Sequence, residues 1–253
     1  MNIYTPQHKY IDCQNFRKVL ICGDVHGYYQ VLLEKLAEVG FCPESDLLIC
    51  LGDIIDRGPD SIALLSFFRD NIGSLCLMGN HELEMRDTMF KGRFGPNNEP
   101  LCESGLTWDY NGGDWQKKWS RALLTEFAEW IDELPTAMTL KTKHQTVGLS
   151  HTFSDCLDWD DVVGLNEFSE EDRIKRKVST RDLLWSRTRQ EAWNAKPIKG
   201  IDVTIHGHTN VKQPIWSSNS LFIDTEAGFP FGSLTVIDLN EKPLVPGSIV
   251  ESL

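Results

Sequence analysis

Three short turns in the first third of the chain carry side chains of the types that can bind metal ions. They are residues 23–27 (GDVHG), 52–58 (GDIIDRG) and 79–82 (GNHE). Each turn follows an apolar run, as expected where a buried parallel strand ends at a tight turn. The donors are carboxylate, amide and imidazole groups without thiolates, a set that suits Mn, Fe or Zn.

The spacing of the three turns predicts consecutive strand–helix–strand units. Asp24, Asp53 and Asn80 are separated by 53 − 24 = 29 and 80 − 53 = 27 residues, about the length of one such unit. The intervening residues 28–39 and 61–70 have apolar side chains at helical spacing. Since open α/β folds bind ligands at the carboxyl ends of their strands, we expect the three turns to meet at one edge.

Later strand ends also present imidazoles. His151 follows the apolar run 146–150, and His206 and His208 follow the run 202–205. Five of the seven histidines therefore lie at or just beyond a predicted strand end, namely His26, His81, His151, His206 and His208. Such a pattern is difficult to obtain by chance, although one isolated histidine there would more often be structural.

Six of these groups form two cation sites if one carboxylate is shared. Asp53 is the natural bridge, because a carboxylate has two oxygens and Asp53 lies in the middle unit. We assign one cation to Asp24, His26 and Asp53, and the other to Asp53, Asn80, His151 and His208. Two such ions about 3.5–4 Å apart can activate water for attack on a phosphoryl group. His206 is expected to position its neighbours rather than to bind metal.

The three turns resemble the signature set of the phosphoprotein phosphatase family. Further segments resemble its bacterial and bacteriophage-lambda-like branch, namely residues 112–115 (GGDW), 184–187 (LWSR), 207–209 (GHT) and 222–225 (FIDT). The resemblance runs from about residue 18 to 239. It implies an α/β calcineurin-like metallophosphatase fold, with two mixed β-sheets packed face to face and helices outside.

The resemblance also implies an activity. Members of the family hydrolyse phosphoserine and phosphothreonine in proteins by direct attack of a metal-bound hydroxide, and phosphotyrosine stays open as a substrate here. The implied cofactors are two divalent cations, first of all Mn²⁺, with Fe, Zn and Ni as alternatives. The implied partner is a phosphoprotein, and the oligomeric state stays open.

The family roles fall on four further residues. His81 would be the general acid, and Asp56 would hydrogen-bond it and keep it protonated. Arg57 and Arg187 would bind the phosphate oxygens, for which a guanidinium is well shaped. Two positions depart from the branch. Thr152 replaces a usual alanine beside the metal and could alter substrate access. Glu226 replaces a usual glycine near the rim, where it would either disfavour acidic substrates by like-charge repulsion or turn outward.

Two alternatives to a protein phosphatase remain. Symmetrical dinucleoside tetraphosphate hydrolases have similar core motifs, but they usually carry Asp at the position of Glu82 and often differ at Asp56. The other alternative is a metal-binding interaction module without activity, which would be expected to lack a ligand or the acid.

Bulk composition narrows the partners. The 253 residues carry a formal net charge of −12, which argues against a nucleic-acid or anionic-membrane surface. The seven cysteines are scattered, as expected for buried free thiols. There is neither an apolar stretch of 18 residues nor a signal-like N-terminus, so we expect a cytoplasmic protein.

The remaining segments complete the expected fold. Residues 1–17 are predicted to be an extension on the surface, before a single domain over residues 18–253. Two segments are predicted to lack regular structure, residues 90–115 and the acidic residues 155–173. Either segment could form a lid. A helix is expected at 117–132, a hairpin at 136–140 and 146–150, and strands at 202–205, 214–216, 221–223 and 233–239.

Overall fold

The computed structural model describes residues 4–96, 99–191 and 195–253. The strands are β1 (His8–Asp12), β2 (Val19–Cys22), β3 (Leu47–Cys50), β4 (Ser74–Cys76), β5 (Ala137–Lys141), β6 (Thr146–Ser150), β7 (Val203–His206), β8 (Ile215–Ser217), β9 (Ser220–Phe222) and β10 (Val236–Asp238). The helices are α1 (Tyr29–Glu38), α2 (Ser61–Asp70), α3 (Asn80–Lys91), α4 (Glu103–Tyr110), α5 (Arg121–Asp132), α6 (Trp159–Val163), α7 (Glu170–Arg176), α8 (Thr180–Leu184) and α9 (Thr188–Glu191). Two 3₁₀ helices span Gly113–Lys118 and Gly164–Asn166.

The strands form two mixed sheets. One has the order β10-β2-β3-β4, in which β2, β3 and β4 are parallel and β10 is antiparallel to β2. The other has the order β1-β5-β6-β7-β9-β8, with β5 and β6 as the predicted antiparallel hairpin. The parallel order β2-β3-β4 confirms the strand–helix–strand units that the turn spacing predicted.

The two sheets pack face to face. Strand β2 shows why: Val19 and Ile21 belong to the core between the sheets, whereas Leu20 and Cys22 belong to the core beneath the helices. A strand buried on both faces needs a continuous apolar run, which is what the sequence has there. Helices α1, α2 and α5 cover the first sheet, and α6 and α8 pack on the second. This is the α/β/β/α arrangement that the sequence analysis predicted.

The N-terminal segment is more than the predicted surface extension. Residues 8–12 form β1, which pairs in parallel with β5 at the edge of the six-stranded sheet. The hydroxyl of buried Tyr4 donates to the carbonyl oxygen of Leu134 at 2.7 Å and lies 2.8 Å from Oγ1 of Thr136. The mostly polar sequence of β1 fits its position at the edge of the sheet, and it hides the pairing of β1 from sequence inspection.

Two segments predicted to be irregular contain helices. Residues 103–110 form α4, whose Trp108 is buried while Leu106 and Tyr110 are exposed, so the apolar side chains give no helical period. Residues 159–163 and 170–176 form α6 and α7 within the acidic segment. The helix predicted at 117–132 begins at Arg121, because the side chain of Ser120 caps it by accepting from the backbone N–H of Leu123.

All seven cysteines are free thiols. Cys22, Cys50 and Cys76 are buried in the three parallel strands, as the sequence indicated. Within the described ranges, no helix is long and apolar enough to cross a membrane.

The packing of the N-terminal segment can be tested with Tyr4→Phe. Removing the buried hydroxyl leaves the Leu134 carbonyl and the Thr136 hydroxyl without this partner, so we expect the free energy of unfolding to fall by about 1–2 kcal/mol. Urea denaturation measures this change. Tyr10→Phe is the matched control, since Tyr10 on β1 is 57% exposed. Equal stability of Tyr4→Phe and the wild type would contradict a packed segment.

Candidate metal centre

Asp53 lies at the centre of the candidate site. Its Oδ2 is 3.8 Å from Nε2 of His26, 3.8 Å from Nε2 of His81 and 3.4 Å from Nε2 of His151. Two groups of side chains have donor atoms close enough together to share an ion, and Asp53 belongs to both: His26, Asp53 and His81 in one, Asp53, His151 and His208 in the other.

The imidazoles present their ligand nitrogens to the cleft. His26 donates from Nδ1 to the carbonyl oxygen of Ile55 at 3.0 Å, and His151 donates from Nδ1 to that of Leu51 at 2.9 Å. When neutral, each ring then has its Nε2 lone pair turned inward, the arrangement in which a second partner fixes the tautomer of a metal-binding histidine.

A cation already approaches two of these nitrogens. The guanidinium of Arg57 donates to Nε2 of His26 at 2.8 Å and to Nε2 of His81 at 3.2 Å. Because a guanidinium has only donors, Nε2 of His26 acts as an acceptor in this contact, whereas Nε2 of His81 can accept only while its ring is neutral. A divalent cation would use the lone pair of His26.

Asn80 brings an acceptor oxygen to the second group. Its Oδ1 is 3.1 Å from Nε2 of His151 and 2.9 Å from Nδ1 of His208. With the proton of neutral His151 on Nδ1, its Nε2 and the amide oxygen are two acceptors facing each other. Such a pair fits a metal ion between the two atoms, and an amide oxygen with imidazoles is a reasonable ligand set for Mn or Zn.

The carboxylates of the site are crowded. Burial, together with nearby Asp224 and Asp53, raises the pKa of Asp24 well above its ordinary value. Burial also raises the pKa of Asp224 to about 6. Burial would raise the pKa of Asp53 as well, but the surrounding histidines lower it well below its usual range. Bound divalent cations would favour the charged form of all three carboxylates.

Asp24 stays a predicted ligand and lies beside the two groups. Its carboxylate accepts from the backbone N–H of His208 at 3.0 and 3.2 Å, and His81 rather than Asp24 completes the group with His26 and Asp53. The structure therefore places five of the six assigned ligands together around Asp53 or Asn80, with Asp24 directly beside His208.

The backbone around the site is strained. Nine non-glycine residues in the described part of the chain have positive φ angles, and five of them are predicted site residues: His26 (46°), Asp53 (51°), Asp56 (72°), Arg57 (66°) and His208 (61°). Residues with such side chains rarely adopt this conformation, and it tends to persist at functional sites. A Cβ atom on Gly79 would overlap the carboxylates of Asp53 and Glu82, so only glycine fits between them.

Glu82 holds the central turn, a role that sequence reasoning missed. Its buried carboxylate accepts from the backbone N–H groups of Gly79 (3.0 Å), Asp53 (2.7 Å), Ile54 (2.9 Å) and Ile55 (3.4 Å). One side chain therefore fastens the start of α3 to the turn after β3. An acidic residue at the third position of a helix is a signal for such a contact.

His81 is paired with a buried carboxylate. Its Nδ1 is 2.6 Å from Oδ2 of Asp56, and Asp56 also accepts from the indole N–H groups of Trp108 at 3.0 Å and Trp115 at 2.7 Å. Burial would lower the pKa of His81, but Asp53 and Asp56 raise it to about 9. The two tryptophans were missed because they lie in the segment without periodicity. A buried carboxylate needs donors, and an indole N–H is one of few that an apolar core supplies.

A polar cleft of about 240 Å³ opens beside this centre. The predicted phosphate-binding residues Arg57 and Arg187 both line it, together with His26, Asp53, Asn80, His81, His208 and three residues that sequence reasoning missed, Asn111, Trp185 and Asn210. Two larger grooves, of about 930 and 310 Å³, share Trp185 with the cleft.

The two residues that depart from the family pattern do not line the described cleft. Thr152 is fully buried, and neither Thr152 nor Glu226 is among the described residues that line the cleft. The Thr152 hydroxyl donates to the carbonyl oxygen of Ser186, and its effect on substrate access stays a prediction. His206 is not a ligand in this arrangement: its ring nitrogens contact Ser150 and Thr204.

Comparisons with known proteins agree with this geometry. Residues 17–241 match the sequence profile of the calcineurin-like phosphoesterases. The chain is 29% identical over 235 residues to Serine/threonine-protein phosphatase 1 of Salmonella typhimurium, covering 89% of this chain and 94% of that protein. It is 46% identical over 67 residues to the symmetrical Bis(5'-nucleosyl)-tetraphosphatase of Pectobacterium carotovorum, covering 26% of this chain and 24% of that protein. A crystal structure of a putative diadenosine tetraphosphatase superposes with a TM-score of 0.59 at 17% identity, covering 92% of this chain and 98% of that one.

The shared position of Asp53 can be tested by metal binding. Asp53→Asn removes the negative charge from both groups, so we expect the affinity for Mn²⁺ to fall by more than about 100-fold, a larger loss than residues that only orient ligands usually cause. Titration calorimetry on the chelator-treated protein measures this affinity. Asp60→Asn, at an exposed residue of the same loop, is the control and should bind Mn²⁺ like the wild type. Unchanged binding in Asp53→Asn would contradict the site.

Proposed function

Because the chain belongs to the calcineurin-like phosphoesterase family, we propose that this phosphoesterase is a serine/threonine protein phosphatase that depends on two divalent cations, with Mn²⁺ as the first candidate. Its substrate is a phosphomonoester on a protein side chain, and hydrolysis proceeds without a phosphoenzyme. We also propose that it works in the cytoplasm, where its seven free thiols stay reduced.

One observation carries the proposal. The carboxylate of Asp53 faces imidazole nitrogens of two groups at once, and the two arginines expected to bind phosphate line the same cleft. Two cations held in this way supply an activated water and neutralise charge on the phosphoryl oxygens. The protein side chains that surround the cations bind and orient the phosphate and protonate the leaving oxygen.

Arg57 and Arg187 bind the phosphate in this proposal. A planar guanidinium pairs with two phosphate oxygens at once, which orients the phosphorus as well as holding it. Arg57 contacts His26 and His81 through its two terminal nitrogens. Turning toward a bound phosphate would release Nε2 of His81 from this contact.

His81 then protonates the leaving oxygen. An alkoxide is a poor leaving group, so a proton delivered from Nε2 lowers the barrier. The Asp56 carboxylate fixes the ring through Nδ1 and favours the charged imidazolium. Trp108 and Trp115 keep that carboxylate in place.

A protein substrate is favoured over a dinucleoside tetraphosphate. The protein phosphatase relative matches over 89% of the chain, whereas the tetraphosphatase relative matches over 26%. Glu82 and Asp56 also stand where tetraphosphate hydrolases usually differ. The likeness to the solved putative diadenosine tetraphosphatase, at 17% identity, shows the fold alone.

Parallel assays test the proposal. The protein is stripped with a chelator and reloaded with Mn²⁺, Ni²⁺, Zn²⁺ or Fe²⁺, and its kcat/KM is measured on a phosphoserine or phosphothreonine peptide, p-nitrophenyl phosphate and a dinucleoside tetraphosphate. We expect the phosphopeptide to be preferred over the tetraphosphate and the chelated protein to be inactive. Preference for the tetraphosphate would support the other hydrolase, and a lack of turnover with every metal would support the inactive module.

His81→Asn tests the general acid. We expect kcat on the phosphopeptide to fall by about 10²–10⁴-fold while KM changes little, because proton transfer belongs to the transition state. Steady-state kinetics separates the two constants. His144→Asn, at an exposed residue remote from the cleft, should leave both unchanged. A near-wild-type kcat in His81→Asn would remove this assignment.

Asp56→Asn tests the cause of the raised pKa of His81. Activity requires protonated His81, so kcat falls as pH rises through the pKa of its imidazole. Removing the Asp56 charge lowers that pKa, and we expect the alkaline limb of the kcat profile to move to lower pH by about 1–3 units. The profile is measured at constant metal loading. An alkaline limb that stays in place would show that Asp56 does not control this proton.

A further inference from the structure

Thr152 connects a metal ligand to a phosphate ligand. It directly follows His151, and its hydroxyl donates to the carbonyl oxygen of Ser186 at 2.5 Å. Its backbone N–H donates to the carbonyl oxygen of Leu183 at 3.0 Å. The side chain is fully buried. The turn after β6 is thereby fastened at two points to the segment that precedes Arg187.

This segment determines where Arg187 points. It lies between the end of α8 at Leu184 and the start of α9 at Thr188, so neither helix includes Arg187. Arg187 is an exposed residue, and its guanidinium makes one long contact of 3.4 Å, from Nη1 to the carbonyl oxygen of His208. Because this contact is weak, the direction of the side chain depends on the backbone that carries it.

We propose that Thr152 is a positioning residue, which holds Arg187 at the distance from the metal ligands that phosphate binding requires. This inference rests on the proposed function. The peptide group between Ser186 and Arg187 contains the carbonyl that Thr152 binds, so losing the hydroxyl frees that group to rotate and swings the guanidinium. A hydroxyl is the feature that the alanine usual in related enzymes lacks.

A rival role would act through His151. If Thr152 only packed beside this ligand, changing it would weaken metal binding and leave phosphate affinity unchanged once metal was saturating. The two roles therefore give different readouts. Metal affinity reports on His151, whereas phosphate affinity at saturating metal reports on Arg187.

The test compares Thr152→Val with Thr152→Ser. Valine keeps the shape and removes the hydroxyl, whereas serine keeps the hydroxyl. For Thr152→Val at saturating Mn²⁺ we expect about a five-fold rise in KM for the phosphopeptide and in the inhibition constant of inorganic phosphate, the size of effect of one lost hydrogen bond. Mn²⁺ affinity by calorimetry should stay unchanged, and Thr152→Ser should resemble the wild type.

Two further variants test whether the effect is specific to Thr152 and acts through Arg187. Thr125→Val on α5 also removes a hydroxyl that donates to a backbone carbonyl, that of Arg121, and should leave phosphate inhibition unchanged. In Arg187→Ala the effect of Thr152→Val should vanish, because a positioning residue has nothing left to position. If Thr152→Val does not fold, Thr152→Ala replaces it in the same comparison.

The outcomes separate this inference from the proposed function. Equal phosphate inhibition in Thr152→Val and the wild type, a loss of Mn²⁺ affinity that accounts for the change, or the same fold-loss in the Arg187→Ala background would each overturn the positioning role. An Arg187→Ala protein with unchanged phosphate inhibition would instead remove Arg187 from the phosphate site of the proposed function.

Discussion

The structure depends on one buried carboxylate that faces several imidazoles at once. Asp53 is 2% exposed, and Nε2 atoms of three histidines lie within 3.8 Å of its Oδ2. Burying a carboxylate and several imidazoles together destabilises the fold unless a cation binds between them. The fold supplies the position: β2, β3 and β4 of one sheet and β6 and β7 of the other are each followed by a residue of the candidate site.

Placing the site residues requires backbone conformations with positive φ, which are unfavourable for residues other than glycine. Hydrogen bonds from other residues offset this cost. The turn after β3 places Asp53, Asp56 and Arg57 at positive φ. Glu82 stabilises this turn by accepting three hydrogen bonds from its backbone N–H groups and a fourth from Gly79 at the start of α3. Trp108 and Trp115 do the same for Asp56 from the segment after α3. Residues outside the recognisable motifs are therefore as necessary to the geometry as the ligands, because they determine which way the ligands face.

The sequence predicted those features that follow from local pattern. The apolar runs and the spacing of Asp24, Asp53 and Asn80 were enough to infer the parallel strands and the edge at which they end. Contacts between segments distant in the chain could not be predicted from local sequence patterns. Nothing in residues 8–12 indicates pairing with residues 137–141, and nothing in residues 103–115 indicates that two indoles bind Asp56. The hydrogen bond from Thr152 to Ser186 is another contact of this kind, since the two residues are 34 positions apart.

The central claim is that two cations share Asp53. Crystals of the Mn²⁺-loaded protein, measured with X-rays at the manganese absorption edge, would locate the ions directly by anomalous scattering. The account predicts two peaks on either side of the Asp53 carboxylate, about 3.5–4 Å apart, one near His26 and the other near His151 and His208. A single peak remote from Asp53, or no peak in protein shown to contain manganese, would contradict it.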